Sequence, residues 1–251
     1  MVTIGGRAHT LEEIHEVCRL GLPFVEMSLD DPESVLHLMP ELLMVKENYG
    51  ITYLAHYPNE DNPFDAGILR ERFVPRIKAL IDLSGKLAIH KATLHFWIDK
   101  RWAPEELIVL KLELLKEIVK YASKSGIVIC IENLSERAES FQGAFDAIDD
   151  LRMTLDIGHA QLLAKKNTSF GFIERCFERI AHVHVHDNHG GTSVKDDLHL
   201  ALGEGSVDYQ TIISSLLRSG YDSTITMEVK PPDMASTREA LQRLITDSGP
   251  P

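Results

Sequence analysis

The chain has 251 residues, of which 44% are hydrophobic, and its formal net charge is -12. This length and apolar content suffice for one domain with a large core, whereas the acidic balance argues against a nucleic-acid partner. The three cysteines, Cys18, Cys130 and Cys176, are isolated and form no CxxC pair, which argues against a disulfide framework and a thiolate zinc site and favours a cytoplasmic protein. The sequence has no signal segment and no run of about 20 apolar residues, so we expect a soluble protein without a membrane partner.

Short β-branched runs alternate with longer helical patterns along the chain. The predicted strands cover residues 2–6, 24–29, 51–56, 92–96, 127–132, 153–157, 182–186 and 224–229. The predicted helices cover residues 11–20, 32–48, 67–84, 104–123, 141–148, 170–179, 209–217 and 235–245. Eight βα units predict an α/β fold, a (β/α)8 TIM barrel, as a single domain over residues 1–251 in which residues 246–251 form a flexible tail.

A histidine-rich stretch near residue 190 carries the strongest chemical signal. Two valines alternate with His182, His184 and His186, so one face of this strand is apolar and the other carries imidazoles. Asp197 and His199 follow in the next loop. Imidazoles and carboxylates together suit Zn, Mn, Fe or Co, so the stretch predicts a divalent-metal site. We select His184 as the ligand, with His182 deeper in the barrel and His186 nearer the loop.

Polar residues also end several of the other predicted strands. In a TIM barrel the active site lies at the C-terminal ends of the strands, so these side chains are expected to converge. The residues are His56, His95, Glu132, Asp156 with His159, His184 and Glu228. Each residue alone fits a structural role, such as a rim salt bridge or a turn cap. Together they favour a metal, because carboxylates and imidazoles buried at one mouth require a compensating cation.

Several strand-end motifs resemble those of the xylose isomerase-like TIM-barrel superfamily, which includes sugar isomerases and epimerases and the endonuclease IV type of AP endonuclease (family 2). The motifs are HVHVHDN, DLHLALGEGSVD, IEN, LDIGHA and TMEV, and the resemblance covers nearly the whole chain. For the isomerase and epimerase branch, it implies one Mn, Co or similar ion held by Glu132, Asp156, His184 and Glu228. It also implies that Glu132 and Glu228 are catalytic and move protons between adjacent sugar carbons.

The endonuclease branch implies a larger metal centre with three zinc ions and nine ligands. The chain offers candidates for all of them, namely the four residues above together with His56, His95, His159, Asp197 and His199. The expected cofactor is therefore a divalent metal, Mn, Zn, Co or Fe, in one to three ions.

Two chemistries therefore stay open. An isomerase or epimerase needs one ion to polarise a carbonyl and hydroxyl pair and two glutamates to transfer protons, whereas a phosphodiesterase needs clustered ions, which the extra ligands favour. The net charge of -12 and the lack of evident insertion loops for bending a duplex argue against DNA. We place a sugar or sugar-phosphate isomerase or epimerase of carbohydrate metabolism first, hydrolysis of a small phosphodiester second, and metal binding without catalysis last.

Three residues are predicted to contact the substrate. Trp97, in the loop after the fourth strand, suits stacking on a sugar ring, and packing of the loop is an equal alternative. Lys230 shares the strand parity of Glu228 and would meet a phosphate, with a rim salt bridge as the alternative, and Glu26 stands near the end of the second strand. The expected partner is a small molecule. A homodimer stays open, because no surface patch stands out.

Overall fold

Eight parallel strands close into a barrel in the computed structural model, which describes residues 1–247. The strands are β1 Thr3–Ala8, β2 Phe24–Ser28, β3 Thr52–His56, β4 Lys91–Leu94, β5 Val128–Glu132, β6 Arg152–Asp156, β7 Ile180–Val185 and β8 Thr224–Met227. Each strand pairs with its neighbours in the sequence, and β8 pairs with β1 to close the ring. The predicted TIM barrel is confirmed.

A helix follows each strand and packs against the outside of the barrel. These helices are Leu11–Arg19, Pro32–Tyr49, Val74–Lys86, Glu105–Ser123, Ala138–Ala147, Ser169–Cys176, Tyr209–Arg218 and Met234–Asp247. A short helix, Ala66–Ile68, and a π-helical turn, Leu69–Phe73, lead into the third of them. The second helix shows how local sequence sets the bounds, since Asp31 caps its first turn and Gly50, at φ 64°, ends it in the left-handed conformation.

Most of the side chains described inside the barrel are polar, although Phe24 also lies there with its ring 6.4 Å from that of His182, and the outside of the strands carries the apolar core. Thr93, Thr154 and Thr226 point inward, as the alternation of the strands predicts. Thr93 and Thr154 share a hydrogen bond of 2.9 Å, and the hydroxyl of Thr226 lies 3.0 Å from Nε2 of His182. Intervening residues such as Val183 are fully buried in the core beneath the helices. Each strand therefore stabilises the fold with one face and supplies chemistry with the other.

The N-terminal floor of the barrel is built around a buried lysine. Lys91 is 8% exposed, and its ammonium group donates to the carbonyl of Ala181 at 2.7 Å, to Thr224 Oγ1 at 2.8 Å and to Ser223 Oγ at 3.0 Å. An ammonium group has three donors, so all of them are used. The protein itself therefore supplies an acceptor for every hydrogen-bond donor of the Lys91 ammonium group.

Most strand ends differ from the sequence prediction by one or two residues, and six of the differences fall at the mouth, where only the ends of β3 and β5 match. β1 extends to Ala8 and so includes Arg7, while β4 and β8 end just before His95 and Glu228. Pairing between β3 and β4 covers two residue pairs, which explains the early end of β4. The last helix includes residues 246 and 247 of the predicted tail, and residues 248–251 lie outside the described residues. Within residues 1–247, no helix has the length and apolar character needed to cross a membrane.

Candidate metal centre

Four residues from neighbouring strands converge at the centre of the mouth. Glu132, Asp156, His184 and Glu228 are all buried, and each offers a ligand atom within 4.8 Å of the others. Nδ1 of His184 lies 3.0 Å from Oε1 of Glu132 and 3.4 Å from Oε1 of Glu228. Oδ2 of Asp156 lies 3.8 Å from the same nitrogen. We call these four residues the inner group, and they are the four that the family resemblance implies for a single ion.

The far side of His184 is held by Glu26, which is completely buried. Oε2 of Glu26 lies 2.9 Å from Nε2 of His184 and 2.8 Å from Nε2 of His182. Burial disfavours ionisation of Glu26, but the two imidazoles hold the pKa of its carboxyl well below the usual value. An ionised Glu26 accepts the Nε2 hydrogen of His184, which directs Nδ1 to the centre of the inner group.

Two further histidines lie on the other oxygen of Glu132. Oε2 of Glu132 is 2.7 Å from Nε2 of His95 and 3.3 Å from Nε2 of His56. The other ring nitrogens are held by Asn59 for His95 and by the carbonyl of Tyr57 for His56. Although burial opposes ionisation of Glu132, His184 and His95 hold its pKa well below the usual value. Glu132 is therefore shared by two sets of possible ligands.

A third set lies on the loops beside the inner group. His159, His186, Asp197 and His199 offer ligand atoms within 4.8 Å of one another, and we call them the loop group. Oδ2 of Asp197 is 3.1 Å from Nε2 of His159 and 3.2 Å from Nε2 of His199. The structure thus brings together all nine predicted ligands and adds His186.

Arg7 supports the inner group from β1. Its Nε donates to Oε1 of Glu228 at 3.1 Å, and its terminal nitrogens donate to Ser28 Oγ at 3.0 Å and to the carbonyl of Glu26 at 3.4 Å. Burial raises the pKa of Glu228, but His184 and Arg7 lower it, to about 2 overall. Glu228 is therefore ionised at neutral pH.

Several buried polar atoms of the mouth have no hydrogen-bond partner within residues 1–247. They are Oδ2 of Asp156, Oδ1 of Asp197 and both ring nitrogens of His186. An unsatisfied buried polar group costs about 1–3 kcal/mol, so such groups normally have a ligand to meet. Their nitrogen and oxygen donors suit Zn, Mn, Co or Fe. The residues therefore fit a divalent cation.

A cavity of about 540 Å³ opens beside His95 and the loop group, and the four residues of the inner group do not line it. Its wall includes His95, His159 and Asp197, and an apolar part that includes Phe64 and Trp97. The indole of Trp97 donates to Ser135 Oγ at 2.9 Å, and its ring meets that of Phe64 edge to face at 5.2 Å between centroids. Trp97 is thus fixed in the cavity wall.

The other two predicted substrate contacts lie elsewhere. Glu26 is 0% exposed, beneath His184, with its carboxylate engaged by two imidazoles, so it supports a ligand and does not face the cavity. Lys230 is exposed just before the turn Pro231–Asp233 and does not line the cavity. Strand parity predicted the inward direction of Glu26 but not its height along the barrel, and it does not apply to Lys230, which lies beyond the end of β8.

Asn133 is a site residue that the sequence reasoning did not assign. Its side-chain amide donates to the carbonyl of Asp156 at 2.9 Å and accepts from the amide of Asp156 at 2.9 Å. These two hydrogen bonds fix the end of β6 against the end of β5, and with it the carboxylate of Asp156. The available signal was the asparagine immediately after Glu132 in the IEN motif.

Comparison with known proteins agrees with this architecture. The family model described as a xylose isomerase-like TIM barrel matches residues 14–246. The uncharacterized protein MJ1311 of Methanocaldococcus jannaschii is 29% identical over 213 residues, which cover 79% of this chain and 70% of that protein.

Among solved structures, a D-tagatose 3-epimerase-like protein superposes with a TM-score of 0.80 at 24% identity, covering 98% of each chain. L-ribulose 3-epimerase superposes with a TM-score of 0.80 at 14% identity, covering 99% of this chain and 96% of that one. At these identities the superpositions establish the fold, and the family follows from the match over most of the chain. The chain belongs to the xylose isomerase-like TIM-barrel family.

Proposed function

We propose that the chain is a divalent-metal-dependent isomerase or epimerase acting on a sugar or sugar phosphate. The observation that carries the proposal is the convergence of two carboxylates on one imidazole: Oε1 of Glu132 and Oε1 of Glu228 lie 3.0 Å and 3.4 Å from Nδ1 of His184. Moving a proton from one carbon to another, or from one face of a carbon to the other, needs groups that accept and return it. Carboxylates from β5 and from the end of β8 meet that need.

The inner group would hold the ion, which when bound would polarise a carbonyl and the neighbouring hydroxyl group. Glu132 and Glu228 move the protons. One carboxylate removes the proton from the carbon beside the carbonyl, and the other returns a proton to the opposite face in an epimerisation. Isomerisation returns it to the adjacent carbon. His184 and Arg7 lower the pKa of Glu228, and Arg7 holds its Oε1 with a hydrogen bond of 3.1 Å.

The cavity supports a small substrate. Its volume of about 540 Å³ is within the range of small-molecule sites. The N–H of Trp97 is already used by Ser135, so its indole offers a flat apolar face to the C–H side of a sugar ring. Two of the solved structures that share the fold are a D-tagatose 3-epimerase-like protein and L-ribulose 3-epimerase, which favours a ketose.

Solvent-hydrogen exchange tests the proposal without prior choice of product. The metal-loaded protein is incubated in D2O with a panel of ketopentoses, ketohexoses and their phosphates, and NMR follows deuterium incorporation beside the carbonyl. We expect incorporation and a new epimer or aldose with at least one member of the panel. Glu132→Gln and Glu228→Gln should each abolish it, and full activity in both variants would contradict the proton-transfer roles.

A second function is favoured by one specific observation, the sharing of Glu132. Its Oε1 faces His184 at 3.0 Å while its Oε2 faces His95 at 2.7 Å, so one carboxylate belongs to two adjacent ligand sets. Clustered ions that share a carboxylate suit the hydrolysis of a phosphodiester, because they generate hydroxide and neutralise the phosphate. We retain a small phosphodiester as the alternative substrate.

Metal stoichiometry separates the two candidates. Elemental analysis of protein purified without added metal or chelator is paired with hydrolysis of bis(p-nitrophenyl) phosphate. Phosphodiester cleavage that depends on His56 and His95, with ions in both sets that share Glu132, would replace the first proposal by the second. Proton exchange with ketoses and no phosphodiester cleavage would uphold the first.

A further inference from the structure

His186 is a buried imidazole that neither proposed reaction uses. It follows the last residue of β7, is 0% exposed, and has no hydrogen-bond partner for either ring nitrogen within the described residues. Its Nε2 lies 3.2 Å from Oδ1 of Asp156 and 3.7 Å from Oδ1 of Asp197, in neither case as a hydrogen bond. An imidazole buried beside an unpaired carboxylate oxygen is an arrangement that a cation completes.

Two backbone features leave space for the imidazole of His186 and place a second ring against it. A Cβ atom at Gly158 would overlap the ring of His186, so the glycine leaves the space that the ring fills. His199 has φ of 48°, a left-handed conformation that is unfavourable for a residue with a Cβ and that concentrates at functional sites. That backbone brings its ring into a stack with His186, with 4.0 Å between centroids.

We propose that His186 is a fourth ligand beside His159, Asp197 and His199, so that the loop group is a closed zinc site that fixes the loop between β7 and the helix Tyr209–Arg218. The family resemblance supplies three of these residues, and His186 is the ligand that the structure adds. The distances of 3.1 Å and 3.2 Å from Oδ2 of Asp197 to its two neighbouring imidazoles already approach those between ligands of one ion. Three imidazoles and one carboxylate are a donor set that zinc accepts.

Four protein ligands distinguish this site from a catalytic one. Structural zinc sites are closed by four protein ligands, whereas catalytic sites keep a position for water or substrate. The ligands come from three segments: His159 follows β6, His186 follows β7, and Asp197 and His199 lie further along the loop that leads to the helix Tyr209–Arg218. An ion held by all three segments would fasten that loop to the barrel.

The loop forms part of the cavity wall through Thr192, Ser193 and Val194, of which Val194 is 91% exposed. Asp187 anchors the two ends of the loop by accepting from the amides of Gly203 and Val207, each at 2.9 Å. The segment around Val194 lies between Asp187 and Asp197. The ion therefore acts on the shape of the cavity through the loop, and this role does not depend on which reaction the inner group catalyses.

Zinc binding to matched variants tests the site. Metal-free wild-type protein, His186→Asn and Asp197→Asn are titrated with zinc against a competing chelator, and Co²⁺ is used as the spectroscopic probe. His189→Asn is the control, because His189 is an exposed histidine on the same loop. We expect each ligand variant to lose one zinc equivalent, or at least about 10-fold in affinity for it, together with the visible bands of tetrahedral Co²⁺. The double variant should lose no more than either single one.

Limited proteolysis of the wild-type protein supplies a test that needs no variant. Zinc should slow cleavage of residues 189–198 several-fold relative to the metal-free protein. Unchanged zinc content and affinity in His186→Asn would overturn the assignment of His186, and a cleavage rate that zinc does not alter would overturn the role in fixing the loop. Neither zinc binding nor limited proteolysis requires a substrate, so a failure of this proposal can be told apart from a failure of the isomerase proposal.

Discussion

At the floor of the barrel Lys91 uses all three ammonium hydrogens, whereas at the mouth Oδ2 of Asp156 and both ring nitrogens of His186 are buried without a hydrogen-bond partner in the described residues. Both regions bury charge in the same interior. At the floor the neighbours of the charge are fixed hydroxyl and carbonyl groups, and at the mouth they are other ionisable groups.

This difference between floor and mouth assigns stability to the floor of the barrel and function to its mouth. A buried polar group whose partners are complete stabilises the fold, while one whose partners are missing raises the energy of the protein until a ligand binds. We therefore expect changes at the floor to alter the free energy of unfolding and changes at the mouth to alter activity and metal binding. The predictions below test that division.

The largest effect is expected from Glu132→Gln at the mouth. The amide keeps the shape and can still contact the imidazoles, but it cannot accept the substrate proton, so turnover should fall by roughly 10²- to 10⁴-fold. Initial rates with the substrate identified by deuterium exchange measure the loss, and circular dichroism checks the fold. Glu204→Gln, at an exposed position, is the control and should leave turnover unchanged. A similar loss of turnover in Glu204→Gln would show that the loss in Glu132→Gln does not report on proton transfer.

At the floor, Lys91→Met should act on stability. The substitution keeps the bulk of the side chain but removes three buried hydrogen bonds, so the carbonyl of Ala181 retains only its bond from Ser223 Oγ at 2.8 Å. We expect the free energy of unfolding in urea to fall by about 1–3 kcal/mol while the turnover of the folded protein is retained. Lys230→Met removes an exposed lysine and should change neither quantity. A Lys91→Met protein of normal stability but low turnover would contradict the division between floor and mouth.

His182 lies between the two regions and predicts a pH dependence. Burial lowers its pKa to about 4, although Glu26 beside it favours the charged form. In the unfolded chain the pKa is about 6.5, so as the pH falls from 6.5 towards 4 the unfolded state takes up a proton that the folded state does not. The free energy of unfolding should therefore fall by up to about 1.4 kcal/mol per pH unit from this group. Urea titrations of wild-type protein and His182→Gln at pH 7 and pH 5 measure the difference, and equal slopes would refute it.

The smallest effect is expected at the cavity wall. Trp97→Phe removes the hydrogen bond to Ser135 and part of the stacking face. Because ring contacts of this kind contribute about 0.5–1.5 kcal/mol, KM should rise roughly 2- to 10-fold with little change in kcat. Trp102→Phe is the matched control, since Trp102 is 60% exposed and does not line the cavity. An equal rise in KM for both variants would indicate a general effect on the loop.

The sequence predicted the fold and the convergence of polar side chains at the mouth for the same reason, whereas the choice of the four residues of the inner group came from the family resemblance. Strand alternation and the rule that parallel barrels carry their sites at the strand C-termini are enough to bring Glu132 and Asp156 together. The height of a side chain along the barrel axis was not predicted, because it depends on the stagger between strands. That stagger pairs Glu26 with Leu54 and His184 with Thr226, and it sets Glu26 beneath the ligands. The role of His186 depends on the space left at Gly158, which no periodic pattern encodes.

The complete hydrogen bonding of Lys91 has a consequence for how the protein is loaded in a cell. The hydrogen bonds of the floor are completed by the protein's own groups, so this part of the barrel needs no ion as a template. Nitrogen and oxygen sites bind divalent ions with affinities that follow the general order of the first transition series, in which Mn is the weakest and Cu the strongest. For the metal centre proposed at the inner group, the metal supply of the cell would therefore decide which ion binds, and the same chain produced in manganese-rich and zinc-rich media should carry different ions.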